Sequence, residues 1–360
     1  MAYSSIVKPT DYFNTVLWTG DNTARTISGV GFQPDWIWWK QRNGTDSHRL
    51  ADAVRGEGSA SYKLLFSEDT SAEYDGSDNG GSQGNINAIT SDGFSGVQGT
   101  SGYNNWNGSS YNYVAWNWLG ANGTASNGDG SITSTVSANV TAGFSIVKYT
   151  SNNTAGATIG HGLGSVPKMV IVKSLANTTR WFVYHSSLGN GSEIYLDDTQ
   201  AAYNSATVWN NTTPTSSVVT LGTTYVNASG DYIAYCFAEK QGYSKFGSYT
   251  GNGIASGGGP FIHLGFKPAF FLLKESSGSD NWTLMDNKRL GYNPRNDHLF
   301  PNATTVEYAT DRIDMVSNGI KIIDNDGSIN QSGQTYIYMA FAENPFVAND
   351  SGTAVPVTAR

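Results

Sequence analysis

One short pattern occurs three times along this 360-residue chain and limits the fold more than any other feature. It consists of a proline, one further residue, four apolar residues and a lysine. The copies are Pro34-Asp35-Trp36-Ile37-Trp38-Trp39-Lys40, Pro167-Lys168-Met169-Val170-Ile171-Val172-Lys173 and Pro268-Ala269-Phe270-Phe271-Leu272-Leu273-Lys274. A second block closes each copy: Tyr113-Val114-Ala115-Trp116-Asn117-Trp118, then residues 232–239 (YIAYCFAE), then residues 336–343 (YIYMAFAE). Two landmarks in the same order, three times over, mark an internal repeat.

Both blocks read as β. They are short runs of β-branched and aromatic residues bounded by Gly, Pro, Asn and Ser, far below helix length. Four apolar residues without alternation predict a strand covered on both faces. A leading proline is tolerated because its missing N–H precedes the ladder. Residues 63–66, 181–184, 193–196 and 319–323 are further strand candidates. Asn127-Gly128-Asp129-Gly130 and Asp324-Asn325-Asp326-Gly327 predict hairpin turns. The expected fold is all-β, with three tandem β-sandwich (jelly-roll-like) domains of one repeat family.

The landmarks set the boundaries: an arm at 1–11, sandwiches at 12–121, 142–241 and 242–347, a linker at 122–141 and a tail at 348–360. The Gly/Ser/Thr/Asn composition of the linker predicts flexibility. The second and third sandwiches join almost directly through Lys240 and Gln241. A stiff second–third pair and a more independent first domain are expected.

Charge is scarce, at 14% of residues, against about 25% in an average soluble protein. The 21 basic residues are scattered among 29 acidic ones, so no nucleic-acid partner is expected. An aromatic content of 12% argues against disorder. No apolar run approaches the ~20 residues that cross a bilayer, so no membrane insertion is expected. Residues 1–11 hold no basic stretch followed by an apolar core, and no leader is expected. The single cysteine, Cys236, rules out an internal disulfide and reads as a small buried side chain.

Catalytic chemistry is hard to find. The five histidines show no metal-ligand spacing; His161 and His263 read as turn or surface residues. No serine lies in a nucleophile-elbow context. Glu68/Asp69, Asp197/Asp198 and Glu307/Asp311 are carboxylate pairs of the kind a glycosidase uses, and read more simply as solvated surface charge. Neither catalytic residues, metal nor cofactor is expected. One insert stands out: residues 103–112 place Tyr103, Trp106 and Tyr111 among Asn104, Asn105 and further Asn, Gly and Ser. Flat rings beside amides suit stacking on a sugar and bonding its hydroxyls. Trp209, followed by Asn210 and Asn211, is a shorter version. The same rings would equally serve packing onto their own sandwich or a neighbouring subunit.

The segments GFQPDWIWWK, YVAWNW, WFVYHSSLGNGSEIYLD, YCFAEKQGYSKFGSYTGNG and YIYMAFAENPFV resemble tail-fibre-type virion structural proteins of mostly marine bacteriophages. Those proteins carry tandem β-sandwich domains. The resemblance implies a place on the virion surface and a role in host attachment. It also implies host-surface polysaccharide as ligand, other tail or head proteins as partners, and a homotrimer by analogy with fibres. A head-decorating or vertex fibre is the alternative, and a glycan depolymerase a further one. Such fibres usually begin with a dedicated adaptor, whereas only Met1–Asp11 precede the first repeat here. The anchor is then the first domain or this arm, or the protein is a short spike.

Overall fold

The computed structural model describes residues 4–59, 61–76, 84–99, 106–290, 293, 297–350 and 353–356. The protein is all-β, of the sandwich class. Helix is scarce: among the described residues it comprises a 3-10 turn at Pro9–Asp11, one turn at Gly327–Asn330 and the single position Gly76.

Each sequence copy supplies a large antiparallel sheet with one strand order. In the first it runs Phe13–Thr19, Asn112–Trp118, Trp36–Gln41, Arg49–Asp52, Leu65–Phe66. In the third it runs Ser244–Thr250, Thr335–Pro345, Phe266–Glu275, Trp282–Asp286, His298–Leu299. The second follows suit with Phe144–Thr150, Asp231–Phe237, Met169–Ser174, Phe182–His185, Ser192–Tyr195. It is extended to eight strands by Tyr203–Asn204 at one edge and by Ser134–Asn139 and Ala125–Asn127 at the other. A small sheet of two or three strands accompanies each large one, for example Ala157–Gly160 with Val218–Leu221 in the second copy.

Period-two alternation explains why the Pro-led strands are apolar throughout. Ile37 and Trp39, Val170 and Val172, and Phe271 and Leu273 face three separate cores, each shared with residues of a small sheet such as Phe94, Val219 or Ile320. Their neighbours Trp36 and Trp38, Met169 and Ile171, and Phe270 and Leu272 all enter one further core common to the three large sheets. There Trp36 stacks on Tyr235 of the second copy at 4.4 Å, and Phe13 meets Phe270 of the third at 5.5 Å. Pro268 lies inside its strand, and the register shifts on either side of it, as a residue without an N–H requires.

Several expectations change. The segment 122–141 holds two paired strands at the edge of the second sheet. Its start is tied to the first copy, because the Gly120 and Asn122 amides donate to Asp35 at 2.7 and 3.1 Å. The first copy is therefore no more independent than the others, since its sheet shares the common core. In the arm, Ile6 is 1% exposed and belongs to that core. Asp326 caps the helical turn at Gly327–Asn330 by accepting from the Ser328 amide, where a hairpin was expected. His161 is buried, accepting from the Leu163 amide at 3.2 Å, whereas His263 is exposed. Cys236 is fully buried, and burial pushes its thiol up to about 12.

Candidate functional site

The lysine ending each Pro-led strand points into the common core, at the end of the row that begins Trp36-x-Trp38. Lys40, Lys173 and Lys274 are at most 1% exposed. Lys40 Nζ donates to the carbonyls of Gln41 and Gly44 at 2.6 and 3.0 Å. Lys274 makes the same pair of bonds, to Glu275 and Gly278 at 2.5 and 3.3 Å. Lys173 bonds Ser174 of its own copy and Thr70 of the first. Burial lowers each ammonium from its ordinary value to about 8.

Above pH 8 the folded chain gives up these protons while the unfolded chain, with lysines near 10.5, keeps them. Stability therefore rises with pH in this range, by at most about 1.4 kcal/mol per unit for each lysine. Ionisation of Cys236 and the tyrosines of the unfolded chain opposes the rise at higher pH. The melting temperature is expected to climb from pH 8 to 9, and Lys173→Met to remove about a third of that climb. A flat profile in the wild type would contradict this.

Three kinds of contact join the copies, and each runs in the same cyclic sense: first to third, second to first, third to second. The residue two beyond each lysine accepts a backbone bond at every junction. Glu307 N donates to Arg42 O at 2.7 Å, Glu73 N to Leu175 O at 3.0 Å, and Ala202 N to Ser276 O at 2.9 Å. Opposite each lysine stands a ring. The Trp181 indole donates to Phe66 O at 2.9 Å and the Trp282 indole to Tyr195 O at 2.7 Å, while His48 lies against the Phe300 backbone. Finally, the Trp116 indole donates to Asp286 at 2.9 Å and the Tyr235 hydroxyl to Asp52 at 2.8 Å. At the third junction His185 replaces the aspartate and bonds Tyr338 O at 3.1 Å. A head-to-tail contact that closes after three steps implies rotations of about 120° around a common axis.

The segments that reach across these junctions form a third repeated block: residues 66–74 (FSEDTSAEY), 195–203 (YLDDTQAAY) and 300–308 (FPNATTVEY). An aromatic residue and a tyrosine eight positions later pair in space in every copy. The ring distances are 4.9 Å for Phe66–Tyr74, 5.9 Å for Tyr195–Tyr203 and 5.2 Å for Phe300–Tyr308. Tyr203 and Tyr308 are 42% and 43% exposed, and Tyr74 is half-buried. The third position of each block caps an amide within its own copy. Glu68 accepts from His48 N, Asp197 from Trp181 N and Asn302 from Trp282 N, at 3.2, 2.7 and 2.9 Å.

These carboxylates are accordingly tied into the structure, where solvated charge was expected. Burial pushes Glu68 up to about 7 and raises Asp197. Glu307 is held by Arg42 at 2.7 Å and Arg289 at 2.8 Å, and its near carboxylate partner is Asp297, 3.6 Å from the same Arg42 nitrogen. Burial, with Glu307 beside it, pushes Asp297 up to about 6. In the first copy the position of Asp297 is Lys63, which pairs with Glu73 at 3.4 Å. Among the described residues no group of three or more His, Cys, Asp or Glu could hold a metal ion.

Of the residues read as glycan-binding, Tyr103, Asn104 and Asn105 lie outside the described residues. Trp106 is 0% exposed: its indole donates to Val97 O at 2.8 Å and its ring lies where a Cβ on Gly96 would sit, 2.4 Å away. Trp209 is 1% exposed and edge-on to Tyr184 at 5.8 Å. Both rings are core residues that no ligand can stack on, which corrects the sequence reading. Tyr111 remains 42% exposed. The exposed tyrosines of the third block went unread, although their eight-residue spacing from an aromatic residue recurs in all three copies.

A family model described as a domain of unknown function (DUF7483) matches residues 8–345 in one span, and the chain belongs to that family. No curated protein and no solved structure matches the chain.

Proposed function

We propose that this chain, as a member of the DUF7483 family, is a non-catalytic attachment protein of the tail-fibre type on a bacteriophage surface. In this reading it consists of three tandem β-sandwiches fused around one core, which present aromatic residues to host-surface glycans. The observation that supports it best is the closed ring of equivalent junctions. A fibre draws its threefold arrangement from three chains, and in this reading the ring of three copies within one chain is the counterpart of that arrangement. Of the carboxylates a depolymerase could use, Glu68 and Asp197 cap backbone amides and Glu307 is clamped by two arginines. The exposed tyrosines, by contrast, recur at one repeat position and leave ring surface available. A location on the head in place of the tail is the second arrangement compatible with the resemblance.

The test is sedimentation of labelled protein with cells of the host bacterium, repeated with soluble surface polysaccharide as competitor. Cell binding abolished by polysaccharide is the expected result. Binding that polysaccharide leaves untouched, or the release of new reducing ends, would overturn the reading. Immunolabelling of intact virions separates tail from head.

A further inference from the structure

In two of the three copies the tyrosine of the third repeated block is exposed and covers a buried polar side chain with an unpartnered atom. Tyr203 is paired across strands with Glu193. Glu193 is 2% exposed; its Oε1 accepts from the Tyr195 hydroxyl at 3.3 Å, and its Oε2 has no hydrogen-bond partner. The Tyr203 and Tyr195 hydroxyls meet above it. Tyr225, 43% exposed, stacks on Phe182 at 5.1 Å beside this pair, and the Arg180 guanidinium lies 4.9 Å over the Tyr195 ring.

In the third copy the residue bridged to Tyr308 is His298. It is fully buried, neither ring nitrogen has a hydrogen-bond partner, and Tyr308 lies on the imidazole at 5.5 Å and 18°. In the first copy the same position, opposite Tyr74, is Leu64, an ordinary apolar residue of its core. A buried polar atom left without a partner costs stability. Here that cost falls at one repeat position in two copies, each time beneath an exposed ring, and is absent where the ring is half-buried.

We propose that the Tyr203/Glu193 and Tyr308/His298 pairs are two carbohydrate subsites, and that the Tyr74/Leu64 pair is not. A sugar ring would lay its apolar C–H face on the tyrosine. As that ring moves outward, a sugar hydroxyl would donate to Glu193 Oε2, or bond the imidazole of His298. The proposal rests on the glycan-attachment reading above and names the place and chemistry of binding.

Calorimetric titration with oligosaccharides cut from host-surface polysaccharide tests it. The double variant Tyr203→Ala/Tyr308→Ala is expected to bind about tenfold more weakly. Glu193→Leu/His298→Leu, which installs the first copy's residue at both places, is expected to lose a similar factor while keeping or raising the melting temperature. Tyr74→Ala is expected to stay within about twofold of wild type. If the wild type binds and both double variants bind equally well, the subsite assignment falls and the glycan reading stands. If Tyr74→Ala weakens binding as much as the double variants, the distinction between the copies falls. If the wild type binds no oligosaccharide, both readings fall.

Discussion

Trp36→Ala is expected to lower the unfolding free energy by about 3–5 kcal/mol, and to do so for the whole molecule in one transition. Trp36 is 0% exposed and its ring contacts residues of two copies: Trp38 and Trp118 of its own, and Phe144, Tyr235 and Phe237 of the second. Removing it opens a cavity where two sheets meet, and close-packed strands collapse only partly into such a space. The common core also takes in Phe270 and Phe341 of the third sheet, so no sheet can leave without exposing the apolar face of the others. Urea unfolding followed by tryptophan fluorescence and by far-ultraviolet circular dichroism should give coincident curves, shifted together in the variant. Two separated transitions, one at the wild-type midpoint, would show that the sheets unfold independently and would contradict a shared core.

The second large effect concerns a buried ion pair. Asp286 and Arg289 are both 0% exposed. Asp286 accepts from Arg289 Nε at 2.6 Å and from the Trp116 indole of the first copy at 2.9 Å. Burial works to raise its carboxyl, but the Arg289 charge and these hydrogen bonds outweigh it and hold the group below its ordinary value. Asp286→Ala would leave the buried guanidinium with only Glu307, itself shared with Arg42, as counter-charge, and the Trp116 N–H without its acceptor. The expected loss is about 3–5 kcal/mol. Replacing both partners by apolar residues, as in Asp286→Leu/Arg289→Met, should recover a substantial part of it, because the guanidinium that lost its buried partner is then gone and Arg42 still holds Glu307. Denaturant midpoints for the two singles and the double complete the cycle. A double variant as unstable as the sum of the singles would mean that the pair is not what links them. Because the folded carboxyl is depressed, its contribution is present above pH ~4 and fades as the pH falls through the folded value. Asp52 with Arg55 repeats the arrangement in the first copy, receiving Tyr235 of the second.

The second copy has His185 and Leu188 at these two positions, and the histidine serves the junction in a different way. Burial takes His185 down to about 4, so it is neutral at physiological pH and bonds Tyr338 O without a counter-charge. One junction thus uses a neutral ring where the other two use a buried carboxylate.

Strand identity and repetition were legible in the chain, because a β-strand is announced by local composition and by period two. The Pro-led runs, the closing blocks and the burial of Cys236 all follow from that. The destination of each strand's second face was not legible. Trp36 and Trp39 look alike in sequence, yet one enters the core common to three sheets and the other the core beneath a single small sheet. That difference is set by the closure of three copies into a ring, a long-range event with no local signature. For the same reason the aromatic insert misled: Trp106 lies among Asn and Gly, as a binding-loop residue would, and is nevertheless packed against Gly96. The spacing of Tyr74, Tyr203 and Tyr308 was present in the sequence throughout, but only their differing exposure gave it meaning. The repeated lysine shows the division most plainly. Sequence alone fixed its position at the end of four apolar residues, three times over. Only the tertiary structure decided that its ammonium would be buried, because the carbonyls of neighbouring loops are there to take the place of water.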